Sequence, residues 1–305
     1  MRPIQRFCVY ALLGLGSLTF GLPLLWMIST GVKPVDQTMS MPPQWLPYRL
    51  YVQKDGMLTE INEARARDLP ADKIIKKVAP RWSNFAKALE AMKMFQTYLK
   101  NTLILCVLTV IGTVLSSSLA AYGFSRVEWR GRNHLFLVAL ATMMVPFPVT
   151  MVPMYCLFHW LGWIGTLKPL WVGSFFAGAF NVFLLRQFFM TLPKDLSEAA
   201  RIDGCSEFRI FWQIYLPLCR PALLVVALFQ FMYTWNDFLG PLIYLTKQED
   251  YTLALGLQLF QSQHGGTEWH YLMAASTLVA LPIIVLFFFT QKSFIEGISM
   301  TGIKG

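Results

Sequence analysis

Asp237 is the only carboxylate inside an apolar run of this chain, and Trp235 and Asn236 stand beside it. A charge in a lipid-spanning segment costs about 3 kcal/mol or more, so Asp237 must face a cavity, a partner or the interior of a helix bundle. An indole face, an amide and a carboxylate together suit a polyhydroxylated ring, which needs a stacking surface and hydrogen-bond partners. The same carboxylate can instead cap a kink ahead of Gly240-Pro241 or bond a second subunit, and the residues alone leave these readings open. Other chemistry is sparse. The five cysteines show no metal spacing, and none lies in the long polar segment between residues 33 and 100, so no disulfide framework is expected there. His134, His159 and His270 stand singly near the ends of apolar runs. The chain has no glycine-rich lysine loop to cradle nucleotide phosphates, nor a paired His or Cys cluster for catalysis.

A second constellation has an interaction character. Glu198, Ala199, Ala200, Gly204, Ile214, Leu216 and Pro217 fill the pattern E-A-A-x3-G-x9-I-x-L-P, with Asp203 just before the glycine. Pro193 can open a helix, because the first turn needs no amide hydrogen there. Gly204 stands where a left-handed cap is required. Ser206 can cap a following helix, with Glu207 placed favourably in its first turn. Phe208, Phe211, Trp212 and Tyr215 recur at helical spacing on that second helix. Ala199 and Ala200 offer a smooth patch for the close approach of another backbone. The hairpin is therefore predicted to be a docking device, with the alternative that its aromatics only anchor it at a membrane interface.

These residues must be positioned by membrane helices. The chain is 55% hydrophobic and 14% charged, beyond ordinary soluble usage. Its net charge of +9 does not indicate a nucleic-acid surface, since 12 of the 26 basic residues lie between Lys33 and Lys100 beside seven acidic ones. With ~20 apolar residues per crossing, six spans are predicted. They are Phe7–Val32, an uncleaved anchor; Asn101–Ser125; a segment within Leu135–Leu167, broken at Pro146, Pro148 and Pro153; Pro169–Leu185, extending past Arg186; Pro221–Thr246, interrupted at Asp237; and Tyr271–Gln291. Arg126, Arg130, Arg132, Arg186, Lys194, Arg201, Arg209 and Arg220 all fall on one side, against Lys168 and Lys247 in the opposite short loops. The hairpin and both termini are thus expected to be cytoplasmic.

The expected organisation is an anchor over 1–33 and an extracytoplasmic segment over 34–97. A transmembrane domain follows over 98–292, its cytoplasmic loop at 193–217, and then a tail over 293–305. Within the outer segment, Met41–Pro47 reads as an extended, proline-stiffened stretch. Leu58–Lys77 reads as helical with a break at Pro70, and Trp82–Leu99 as an amphipathic helix leading into the second span.

Together with the hairpin pattern, several stretches resemble the carbohydrate branch of ABC importer membrane subunits, in particular the second subunit of maltose and glycerol-phosphate type systems. They are Leu24–Thr30 with Lys33-Pro34, Asn101-Thr102, Ala120–Ser125, Pro146, Pro153–Tyr155, Leu184–Phe189, Trp235–Phe238 and Gly302–Gly305. The resemblance implies an all-α polytopic fold with six transmembrane helices, of the type-1 permease kind, in a bacterial cytoplasmic membrane. It implies no enzyme activity in this chain. The partners it implies are a homologous permease subunit, two ATP-binding subunits carrying the ATP and Mg, and an extracytoplasmic solute-binding protein delivering a sugar or sugar derivative. Glu198 to Gly204 would be the coupling helix and Gly302–Gly305 a contact with the ATPase pair. Tyr251–His270, with Gln258, Gln261, Gln263, His264 and Glu268, would be an outer loop that helps dislodge the sugar, or a solvated connector. Residues 51–81 look like an insertion. Importers of amino acids, peptides or oxyanions are the alternative within the class; a proton- or sodium-driven transporter would need an intramembrane relay for which only Asp237 is at hand.

Overall fold

The computed structural model describes residues 3–54, 57–261 and 267–302. The chain divides into two compact units, one formed by Met1–Phe95 with Leu257–Pro282, the other by Gln96–Gly256 with Ile283–Gly305.

In the first unit, α1 (Pro3–Gly31) is 29 residues long and exposed along nearly its whole length, burying only Thr30 and Gly31. Gly31 is a point of close approach: a Cβ there would lie 3.1 Å from the backbone of Ala274. Past the helix, Lys33 is fully buried, its Nζ 3.4 Å from Thr30 Oγ1 and 3.8 Å from the centroid of the Trp26 ring. Leu58–Lys77 is not helical as predicted. It joins a three-stranded antiparallel sheet in which β1 (Tyr48–Lys54) lies between β2 (Met57–Ile61) and β3 (Ile74–Val78), with Leu50 opposite Ile61 and Tyr51 opposite Ile75. Thr59, Ile61, Ile74, Ile75 and Val78 are β-branched residues in runs too short for a stable helix, and the pairing partner β1 decided the outcome. Within Leu58–Lys77 only Glu63–Arg67 is α-helical, capped by Asn62, whose side chain accepts from the Arg65 amide at 3.0 Å; the helix expected over Trp82–Leu99 is present over Ser83–Ala91.

In the second unit, α2 (Phe95–Ser125) is a 31-residue helix. The third span is broken as expected, α3 (Arg132–Thr142) meeting α4 (Phe147–Trp160) at 96°. Of the three prolines, Pro146 alone stands at the break, in extended conformation; Pro148 falls in the first turn of α4 and Pro153 is carried inside it. A first turn shields Pro148 because its missing amide would be unpaired there anyway. Lys168–Trp171 and a 3-10 turn over Val172–Phe176 lead to α5 (Ala179–Thr191), which extends past Arg186. Then come α6 (Asp195–Ile202), α7 (Glu207–Leu218), α8 (Arg220–Asn236) and α9 (Leu239–Tyr244), and α10 (Trp269–Gly302) closes the chain. By length and composition four helices among the described residues can cross a membrane, or up to six if each bent pair is one span.

Gly112 and Ser116 set the packing of α2. A Cβ on Gly112 would fall 2.6 Å from the Phe175 ring, and Ser116 Oγ donates to Ser174 O at 3.0 Å. Two arginines fasten α2 and α5 reciprocally. Buried Arg126 donates to Phe189 O and Leu192 O at the end of α5, and Arg186 donates to Phe124 O at 3.1 Å near the end of α2. A cation at a helix C-terminus satisfies carbonyls that have no intrahelical partner and complements the dipole.

Candidate functional site: the α6–α7 hairpin and the α8–α9 break

The hairpin is built as its sequence predicts. Gly204 has φ +78°, the left-handed value. Its amide donates to Arg201 O at 3.0 Å and the Cys205 amide to Ala200 O at 2.9 Å, the two bonds of a Schellman cap. Ser206 caps α7, its hydroxyl accepting from the Arg209 amide at 3.3 Å. Glu207 lies between the helices and the bundle: Arg201 Nε donates to one carboxylate oxygen at 2.7 Å and the Tyr122 hydroxyl to the other at 2.7 Å. The hydrogen bond from Arg201 holds the Glu207 carboxyl below the usual carboxylate range, against desolvation. This three-residue link brings in Tyr122, eighty-five positions away on α2, and gives Glu207 a role beyond that of the dipole partner its place in the sequence implies.

Two expectations need correction. Ala199 and Ala200 do not form one outward patch: Ala200 is buried in the core with Ile210, Phe211 and Tyr215, while Ala199 is exposed. Nor does the aromatic stripe face one environment. Phe211 and Tyr215 are buried against Tyr122 and Phe189, whereas Phe208 and Trp212 stack on each other at 6.3 Å and stay exposed. At 100° per residue the four side chains span an arc of about 100°, wide enough to straddle the edge of the core. The helix is also wound as a π-helix over Phe211–Tyr215, a form that recurs at functional sites. Ile214 and Leu216 pack partly buried against the core, and Pro217 is exposed where α7 approaches its 80° bend into α8. What α6 presents outward is Glu198, Ala199, Ile202 and Asp203, with Ile202 87% exposed. An exposed isoleucine beside two carboxylates, on a helix fixed by a full cap, suits a groove on another protein. Ile202 lies inside the variable part of the pattern and so gave no signal.

Trp235, Asn236 and Asp237 sit where α8 ends, but the structure does not bring them to one opening. Trp235 is buried and stacks on Phe231 at 5.4 Å. Asn236 is exposed and donates to Met232 O at 2.7 Å. Asp237 leaves the helix in extended conformation, and its Oδ1 accepts the Gly240 amide at 3.0 Å, capping α9. The kink-capping alternative is thus realised in the geometry, with the carboxylate itself only partly buried.

In the outer loop, Gln258, Gln261 and Glu268 are exposed, while Gln263, His264, Gly265 and Gly266 lie outside the described residues, as do residues 303–305 of the tail.

Up to six crossings, a broken third span and a capped hairpin ahead of the fifth define a polytopic membrane protein. The chain belongs to the family of binding-protein-dependent transport system inner membrane components, matched over residues 112–299. It is 35% identical to the arabinooligosaccharides transport system permease protein AraQ of Halalkalibacterium halodurans, over 73% of this chain and 79% of that one. It is 33% identical to the maltodextrin transport system permease protein MalD of Streptococcus pneumoniae, over 82% and 89%. A match at 30% identity to the probable ABC transporter permease protein YurM of Bacillus subtilis spans 99% of this chain and 90% of the relative. Among solved structures, a bacterial ABC transporter for import of the acidic polysaccharide alginate shares the fold, with a TM-score of 0.73 at 21% identity over 96% of this chain and 98% of that one. The type-1 permease fold follows.

Proposed function

We propose that this chain is one of two homologous membrane subunits of an ATP-driven importer for a sugar or sugar derivative. In this reading α6 seats in a groove of an ATP-binding subunit, where ATP and Mg are held. An extracytoplasmic binding protein delivers the solute. The observation that carries the coupling role is the outward face of α6, Glu198, Ala199, Ile202 and Asp203, held on the core by the Gly204 cap and the Arg201–Glu207–Tyr122 link. The relatives named for arabinooligosaccharides and maltodextrin support the sugar. The positive-side bias supports a cytoplasmic hairpin and cytoplasmic termini. A push on α6 would reach α2 through Glu207 and Tyr122 and the end of α5 through Arg126, so that closure of the ATPase pair would rock the bundle. Asp237 would either serve the solute route or serve only as a cap.

The experiment uses the assembled complex in vesicles with labelled maltodextrin and arabinooligosaccharide. Gly204→Glu is expected to leave the chain in the membrane, weaken its hold on the ATP-binding subunits and abolish solute-driven ATP hydrolysis. Normal uptake by this variant sinks the coupling assignment.

A further inference from the structure

The sheet of the first unit takes no part in the coupling path, yet it lines an open cleft of about 520 Å³ between the Val35–Thr38 turn, β1, β2 and Arg81. Among its lining side chains are Asp36, Gln37, Arg49, Glu60, Arg65 and Arg81. Glu60 stands between two arginines: Arg49 Nη1 lies 3.4 Å from one oxygen and Arg81 is bonded to the other. All three side chains keep 26 to 37% of their surface, and ion pairs this wet are weakly held. Arg65, exposed on the rim, meets no carboxylate among the described residues. Planar guanidinium groups that are free or loosely paired are suited to take further carboxylates, two bonds at a time.

The wall behind these arginines is firm. Arg49 Nε donates to Ala79 O at 3.2 Å, and Gln37 clamps Tyr48, donating to its carbonyl and accepting from its amide. The Arg81 amide donates to Val32 O at 2.8 Å, and Asn84 Nδ2 donates to Gly31 O and Lys33 O at 3.0 and 2.9 Å. The cleft is therefore fastened to the C-terminal end of α1. Lys77 stands opposite Arg49 on β3, so positive charge extends across the sheet, in a segment carrying twelve basic and seven acidic residues between 33 and 100.

We infer that this cleft is a docking socket for an acidic loop of the extracytoplasmic solute-binding protein, whose carboxylates seat on Arg65 and on the Arg49–Arg81 pair. The inference rests on the import reading and its orientation. A protein loop fits better than a free sugar because the positive field is wider than one small solute and would steer a large partner. The link to α1 gives docking a path into a membrane helix.

The test uses the assembled transporter in lipid nanodiscs and the binding protein that stimulates its ATP hydrolysis. Arg65→Glu is expected to raise the half-stimulating concentration of binding protein roughly tenfold at low salt, the difference closing by about 0.5 M salt as the charges are screened. Glu60→Gln, which releases Arg49 and Arg81, moves it the opposite way, and neither variant changes complex yield or basal ATP hydrolysis. An unchanged half-stimulating concentration for Arg65→Glu at low salt overturns the inference. So does equal loss in both variants, which is damage to the sheet. If no binding protein stimulates the wild type, the import reading itself fails and takes this inference with it.

Discussion

Gly204 and Gly240 both stand at breaks between helices, and they are glycine for different reasons. At Gly204 a Cβ would meet nothing within 4 Å, and the residue is required by its φ of +78°. At Gly240 the backbone is ordinary, but a Cβ would fall 2.5 Å from Asp237 Oδ2 and 3.0 Å from Leu170 Cδ2. The first glycine serves a backbone angle and leaves its surroundings open, as a docking helix needs. The second serves closeness, because the Asp237 carboxylate folds back over it. An open break can couple to another chain, whereas a closed one is fixed by its own side chain.

The largest expected effect breaks the closed side of this comparison. Asp237→Leu leaves the Gly240 amide without its acceptor, at a cost of about 1–3 kcal/mol, and complex yield in detergent should fall sharply. Asp237→Asn keeps an acceptor oxygen, so yield should be near normal. Sugar uptake by the Asn variant then separates the two roles: normal uptake leaves Asp237 a cap, and lost uptake with intact assembly places it on the solute route.

Next in size is the pair of alanine substitutions. Gly240→Ala should lower stability by about 1–3 kcal/mol, because overpacking drives the carboxylate off its cap. Gly204→Ala should cost about 1 kcal/mol, from the left-handed φ alone. Thermal midpoints in the same detergent measure both, and a Gly204→Asn variant should recover part of its loss, since Asn tolerates that conformation. Equal midpoints for the two alanine variants would erase the distinction.

The smallest effect concerns Glu207. Its carboxyl is lowered in the folded hairpin, first by the hydrogen bond from Arg201, so the folded state binds its proton less readily than the unfolded chain does. The stabilisation is fully present above the ordinary carboxylate range and is lost as pH falls through the lowered folded value. Hydrogen exchange across residues 195–210, corrected for intrinsic rates, should therefore show the hairpin loosening in acid. Glu207→Gln should remove that pH dependence while leaving the Gly204 cap in place.

How much of this was legible depends on the range over which each feature is decided. The Gly204 cap, the Ser206 cap, the Pro146 break and the interruption at Asp237 all showed in the sequence, because each is settled within about five residues by backbone geometry and local hydrogen bonding. The apolar runs fixed the spans for a similar reason, since length and hydropathy alone meet the demand of a bilayer. The tertiary structure decided what depends on distant partners. It turned Tyr48–Lys54, Met57–Ile61 and Ile74–Val78 into a sheet because β1 supplied pairing that neither β2 nor β3 could supply alone. It divided the stripe of Phe208, Phe211, Trp212 and Tyr215 between core and surface, buried Ala200 while leaving Ala199 out, and brought Tyr122 to Glu207 from another helix. Burial and side-chain partners belong to the packed chain, and a local pattern records only which face was available to be packed.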